Sequence, residues 1–349
     1  MPDDDKRESA GELQTLLKKG LAVDSRYGVL EFEPGVKYVR ILTDSISIAS
    51  RISRLHQKDS SDLRIKIVLI PDETVGELTK GACHVGVAPV RKNSTSTSEQ
   101  VTQLLYGETF DTLQVVGTWV RVRLHSDGYL GWVSADQVSL FNNTQFNDYT
   151  AMPKVTVASH VAALLSRPLA KSAVVREAVF GCQLTSLRQS GDFLEVRVPD
   201  GTIGYVRKNE CVSKPSKAGS PSSVAKLLRA AGNFMGISYA WGGRSPKGFD
   251  CSGFVQTVFR FNGVELPRDA DMQFSAGKPL GRDLKRVRPG DLLFFSSNGN
   301  KITHVAIYIG KDRQFIHSSA YVRINSFDTR RRDFNQKLLS TFVGACRVI

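Results

Sequence analysis

The chain has 349 residues, with 47 Lys and Arg against 34 Asp and Glu, a formal charge of +13 and a sequence pI of about 9.6. At 41% hydrophobic and 23% charged residues it has ordinary globular usage at more than single-domain length, which excludes a disordered chain or a coiled coil. No stretch approaches the roughly 20 apolar residues of a membrane span.

The opening Met1 to Lys6 has no apolar run behind it, so the chain as given is expected to be cytoplasmic; an export segment removed beforehand would make it periplasmic or secreted. The basic excess is not interleaved with aromatics and Arg330-Arg331-Arg332 is short, so neither nucleic acid nor membrane insertion is expected. Five scattered cysteines, Cys83, Cys182, Cys211, Cys251 and Cys346, show no CxxC pair, which argues against a disulfide framework or a zinc ribbon.

Residues 1–80 read as a mixed α/β segment, with a helix-like stretch at Leu13 to Leu17 and a strand at Ile65 to Ile70. No function attaches to them beyond support of the domains C-terminal to them.

From Val85 onward, short β-rich runs are punctuated by Gly, Asp and Ser. Gly117 to Leu124, then Asp127 to Val133, recurs as Gly191 to Val198, then Asp200 to Val206, displaced by 74 and then 73 residues. Val120, Val122 and Leu124 alternate with Trp119, Arg121 and Arg123, which turns one face inward, and the Asp-Gly pairs suit tight hairpins. Both copies, 81–145 and 153–213, resemble bacterial SH3 (SH3b) domains.

Ser213 to Ser223 is nearly free of apolar residues and holds two prolines, so 214–223 reads as a linker. Val224, Leu227, Leu228, Ala231 and Met235 then recur at helical spacing, with Ser222 or Ser223 available as N-cap. They open a last domain, 224–349.

In that domain Tyr239-Ala240-Trp241-Gly242-Gly243 precedes Gly248-Phe249-Asp250-Cys251-Ser252-Gly253-Phe254-Val255. The glycines form a loop, and the apolar residues after it form a helix whose first turn holds Cys251. A thiol there faces unpaired N–H groups and the positive end of the helix dipole, which lowers its pKa from ~8.5 and suits a nucleophile. Taken alone, a small buried side chain with Asp250 as an ordinary helix cap is the preferred account of it.

The downstream stretch Thr303 to Ser319 is a hairpin turning near Gly310 to Arg313, with His304 and His317 about equally far from the turn. One histidine can act as base while the other orients it, which makes Cys251, His304 and His317 a nucleophile–base–orienter set. Their separations match no zinc spacing, so no metal or cofactor is expected. His56, His84, His125 and His160 lack comparable partners and read as structural or surface residues.

With Arg288-Pro289-Gly290-Asp291-Leu292, His304-Val305-Ala306-Ile307-Tyr308 and Phe315-Ile316-His317-Ser318 added, the last 125 residues resemble an NlpC/P60 cysteine peptidase domain. The resemblance implies an α+β, papain-like domain preceded by two small all-β SH3b barrels. It also implies cleavage of the γ-D-glutamyl–diamino acid bond in peptidoglycan peptides, without a metal.

Carried onto this sequence, the resemblance makes Cys251 the nucleophile, His304 the base, His317 its orienter and Tyr239 a helper of the oxyanion. Asp250, Ser252, Glu99 and Tyr129 would bind a substrate with a free N-terminal L-Ala, restricting the enzyme to short released peptides in murein recycling. An endopeptidase acting on intact wall, or a non-catalytic wall-binding protein, are the competing readings.

Overall fold

The computed structural model describes residues 15, 17, 20–34, 38–57, 64–213, 221–297, 299 and 301–349. Near the N-terminus Thr15, Leu17, Gly20 and Leu21 are helical, while Leu13, Gln14 and Leu16 lie outside the described residues. Strand β1 (Leu30–Pro34) pairs antiparallel with β2 (Val39–Thr43), and β2 pairs parallel with β3 (Ile65–Leu69). A parallel pair needs a crossover, and helix α1 (Ile46–His56) supplies it. Buried Leu17, Leu21, Val39, Ile41 and Ile52 form the core of this segment.

The two repeats fold alike. The first runs through β4 (Lys80–Cys83), β5 (Val87–Arg91), β6 (Gln100–Leu105), β7 (Thr109–Val116), β8 (Trp119–Leu124), β9 (Leu130–Ser134) and β10 (Val138–Phe141) in the order β10-β4-β7-β8-β9-β5-β6. Helix α2 (Asn143–Ala151) leads into the second: β11 (Lys154–Val157), β12 (Val161–Leu165), β13 (Val174–Val179), β14 (Gln183–Ser190), β15 (Phe193–Arg197), β16 (Ile203–Arg207) and β17 (Cys211–Val212). Its order is β13-β12-β16-β15-β14-β11-β17, the same arrangement strand for strand. Val120, Val122 and Leu124 are buried as the alternation requires.

Residues 214–220 of the expected linker lie outside the described residues. Helix α3 spans Pro221–Gly232, so Ser222 and Ser223 stand inside its first turn rather than at the cap. Proline's fixed φ suits the opening position of a helix. Leu227 and Ala231 are buried, but Met235 lies beyond the helix end and is exposed; Phe234 fills the core in its place.

The last domain places a six-stranded antiparallel sheet behind its helices, in the order β20-β25-β21-β22-β23-β24. The strands are β20 (Lys278–Gly281), β21 (Leu292–Phe295), β22 (His304–Tyr308), β23 (Gln314–Ser319), β24 (Tyr321–Ser326) and β25 (Phe342–Arg347). A short hairpin, β18 (Arg244–Ser245) with β19 (Gly248–Phe249), leads into α4 (Cys251–Phe261), and α5 (Ala270–Ala276) comes next. Cys251 through Phe259 are all buried, as befits a helix apolar on every side. Phe254, Val255 and Val258 pack with Val305, Ile307 and Ile316 on one face of the sheet, while Phe295, Ala306 and Phe315 form the core of the other.

The modules are joined by side-chain contacts. Phe180 of the second repeat packs on Phe234 and Phe261, with ring centres 4.9 and 4.3 Å apart. Glu108 of the first repeat pairs with Arg244 and Arg260 of the last domain. Among the described residues no helix is long and apolar enough to cross a membrane.

Candidate active site

Asp250 stops the chain in extended conformation and takes the Gly253 N–H on its carboxylate at 2.6 Å, so Cys251 is the first residue of α4. Gly253 leaves room for the Gly243 carbonyl, which would stand 2.1 Å from an added Cβ. Two bonds fasten this turn to the histidine strands: Ser318 Oγ donates to the Phe249 carbonyl at 2.8 Å, and Tyr239 N–H donates to the Ala320 carbonyl at 2.8 Å.

The Cys251 thiol is not lowered, contrary to the expectation from its helix position. Burial, and then the neighbouring Asp250 carboxylate, push it up to about 12; the Val305 N–H beside His304 and the Arg268 guanidinium pull the other way. Loss of water outweighs the dipole here. Alkylation by iodoacetamide in the free protein is therefore expected to be at least ~100-fold slower at pH 7 than for an ordinary thiol, and to climb with pH beyond 9. A plateau below pH 7 would instead mark a resting thiolate.

His304 Nε2 lies 2.7 Å from His317 Nδ1, and His317 Nε2 lies 2.9 Å from Asn325 Oδ1. The ladder pairs Ile307 with Ile316 and Tyr308 with Phe315, so the two histidines meet diagonally rather than squarely across. Asn325 Nδ2 donates to the Asp333 carbonyl at 2.9 Å, which turns its Oδ1 toward His317. The partners then assign every proton: His317 Nε2–H donates to Asn325, His317 Nδ1 accepts from His304 Nε2–H, and His304 Nδ1 keeps a free lone pair. Burial holds both rings well below the ordinary imidazole value, with Arg323 adding to the effect.

Sequence reading did not find Asn325. It lies eight residues past His317 on the next strand, and only the β23–β24 hairpin brings it back.

Of the expected substrate-binding residues, Asp250 and Ser252 bond a cation that sequence reading also missed, and Tyr129 and Tyr239 lie within its field. Arg268, 1% exposed, donates to Asp250 Oδ1 at 3.1 Å and Oδ2 at 2.6 Å, to Ser252 Oγ at 3.0 Å and, through Nε, to Thr102 Oγ1 at 3.0 Å. Asp250 also receives Gly242 N–H at 3.0 Å and Ser252 Oγ at 3.3 Å, so its oxygens are already engaged. Gly242, at φ +71°, lies so close to the first repeat that a Cβ would stand 2.5 Å from the Gln100 carbonyl.

Glu99 is exposed on the first repeat and accepts from Trp241 Nε1 at 2.8 Å. Tyr129 is buried and donates to Asp269 at 3.1 Å. Both therefore reach the last domain, on either side of the Asp250–Arg268 pair in sequence. Tyr239 borders the same place: burial, then Cys251 and Asp250, raise its hydroxyl above the ordinary value. The N-terminal segment adds Arg26, which bonds Asp269 at 2.9 Å and Asp271 at 2.8 Å, and Tyr27, whose ring meets Tyr129 edge-on at 5.5 Å.

The remaining histidines serve elsewhere. His84 bonds Ser139 and the Asp136 carbonyl, His125 bonds Thr109 and Asp111, and His160 stacks on Phe234.

Residues 236–343 match the profile of the NlpC/P60 family, and residues 90–138 match one described as a bacterial dipeptidyl-peptidase Sh3 domain. The chain is 32% identical over 234 residues to a gamma-D-glutamyl-L-lysine dipeptidyl-peptidase of Bacillus cereus, covering 64% of this chain and 68% of that one. A protein of the same description from Bacillus subtilis is 32% identical over 228 residues, 62% and 71% of the two chains. The crystal structure of an NlpC/P60 family protein from Bacillus cereus superposes with a TM-score of 0.65 at 26% identity, covering 77% of this chain and 99% of that one. The family profile, the identity to relatives covered over about two thirds of their length and the superposition agree: the chain belongs to the NlpC/P60 family of peptidases.

Proposed function

We propose that this protein is a cysteine endopeptidase that cleaves the γ-D-glutamyl–diamino acid bond of short peptidoglycan peptides bearing a free N-terminal L-Ala. The observation that carries the reading is the directed relay from Asn325 through His317 to His304, whose chain neighbour Val305 turns its N–H to the thiol at the start of α4. The description of the Bacillus relatives as dipeptidyl-peptidases supports a cut two residues from an amino end.

In this mechanism the Cys251 proton moves to His304 Nδ1 as Sγ attacks the γ-carbonyl carbon of D-glutamate. Because thiol and imidazole are both neutral at rest, the charge pair forms only with the substrate in place, an instance of general-base rather than pre-ionised catalysis. The oxyanion is received at the head of α4 with help from Tyr239. His304 returns its proton to the departing diamino acid nitrogen, leaving a thioester. A water deprotonated by His304 then releases L-Ala-D-Glu and restores the thiol.

Glu99, exposed and held among the described residues only by the Trp241 N–H and by Lys92 at 4.0 Å, is the amine-binding carboxylate, whereas Asp250 acts behind it, through Arg268 and Ser252. Mass spectrometry of products from L-Ala-γ-D-Glu-L-Lys and its meso-diaminopimelate counterpart tests the bond; L-Ala-D-Glu plus the free diamino acid is expected. Glu99→Gln should lower kcat/KM for the free peptide by about 10- to 100-fold, the worth of a charged hydrogen bond, and barely affect an N-acylated one. Equal losses on both, or cleavage of the L-Ala–D-Glu bond, would overturn the assignment.

A further inference from the structure

Arg323 stands on β24 directly opposite His317 in the ladder, so its side chain leaves the sheet on the face that carries His317 and Asn325. It is partly buried; its guanidinium carbon lies 5.4 Å from the centre of the Tyr321 ring, and its Nε is buried without a hydrogen-bond partner. The other cations near the cleft are already paired: Arg268 closes on Asp250, and Arg26 on Asp24, Asp269 and Asp271. Among the described residues no carboxylate pairs with Arg323.

A cation drawn partly out of water without a counter-ion is costly. Beside His304 and His317 it is also a kinetic burden, because it opposes the positive charge that His304 must gain during acylation. Both costs vanish together when an anion arrives. Planar carboxylates fit the guanidinium fork, and the proposed substrate carries them on both sides of the scissile bond.

We infer that Arg323 is the carboxylate-binding residue of this cleft, left unpaired in the free protein so that the substrate's own carboxylate completes the pair and frees His304 to act as base. The inference rests on the proposed peptidase reading. The anion is either the α-carboxylate of D-glutamate or that of the leaving diamino acid, and pairing to Arg323 acts on kcat as well as on KM.

The test compares three peptides with the full-length protein: L-Ala-γ-D-Glu-L-Lys, its analogue amidated at the D-Glu α-carboxylate, and its analogue amidated at the lysine carboxylate. Wild type should favour the parent over one of the two amides by about 10- to 100-fold in kcat/KM, partly through kcat, and the disfavoured amide identifies the anion. Arg323→Met should erase that preference from both sides, slowing the parent, which loses its partner, and leaving the disfavoured amide as fast or faster, because the unpaired charge beside His304 is gone. Arg323→Lys, which keeps the charge without the fork, should retain part of the preference. If Arg323→Met fails to fold, the lysine variant decides on the same ratio. Wild type cleaving all three alike, or a preference unchanged in the variants, would overturn the role of Arg323 and leave the peptidase reading standing. Wild type cleaving none of the three would overturn that reading, and in the Cys251→Ala protein the imidazole NMR shifts would then decide the role of Arg323. Movement on adding L-Ala-D-Glu, absent after Arg323→Met, supports it; no movement refutes it.

Discussion

Cys251→Ala is expected to lower kcat/KM by roughly 10⁴- to 10⁶-fold, the loss seen when a nucleophile that acts as one unit with its base is removed. His304→Ala should fall about as far, because the Cys251 thiol, pushed up to about 12 by burial, cannot ionise usefully at neutral pH without a base. Further along the relay the loss shrinks. Asn325→Leu removes the acceptor that fixes the His317 proton on Nε2, and mis-set protons in part of the population should cost about 10- to 100-fold. Asn325→Asp keeps an acceptor for His317 but loses the Nδ2–H bond to the Asp333 carbonyl, so it should recover part of that loss. Kinetics with intact circular dichroism spectra check the series; an Asp variant no better than Leu would contradict the proton assignment.

The second large effect belongs to Arg268. Its guanidinium is almost wholly buried and joins Asp250, Ser252 and Thr102, so it ties the head of α4 to the first SH3b repeat. Arg268→Met leaves the Asp250 carboxylate buried beside Cys251 without its counter-charge. Breaking one side of a buried pair costs about 3–5 kcal/mol, which for a domain of this size corresponds to a melting point lower by on the order of 10 °C. Thr102→Val removes only the Nε bond and should cost about 1 kcal/mol. A thermal scan showing the two variants equally stable would contradict the central place given to the Asp250–Arg268 pair. The unneutralised Asp250 also raises the Cys251 thiol further, so alkylation should slow again in Arg268→Met.

Much of the site was legible because its parts are short and local. Asp250-Cys251-Ser252-Gly253 carries its own cap and helix start, and the hairpin bearing His304 and His317 is written in one stretch of 17 residues. The repeat was legible for the same reason, and the identical strand order of the two sheets bears it out. What escaped depends on contacts between segments far apart in the chain. Arg268 meets Thr102 across 166 residues, and Arg26 meets Asp269 across 243. The direction of the Cys251 shift failed for a related reason: helix position is a local property, but the burial that overrides it comes from the tertiary core. Met235 fits the spacing of a helix that in fact ends at Gly232, since periodicity marks a face better than it marks an end.

The central claim is that Cys251 forms a covalent bond to the γ-glutamyl carbonyl, and intact-mass spectrometry after rapid acid quench tests it most directly. Protein mixed with excess L-Ala-γ-D-Glu-L-Lys should gain the mass of one L-Ala-γ-D-Glu acyl group, mapped to the peptide containing Cys251 and discharged by hydroxylamine as a thioester. An adduct on any other residue, or turnover undiminished in Cys251→Ala, would contradict it.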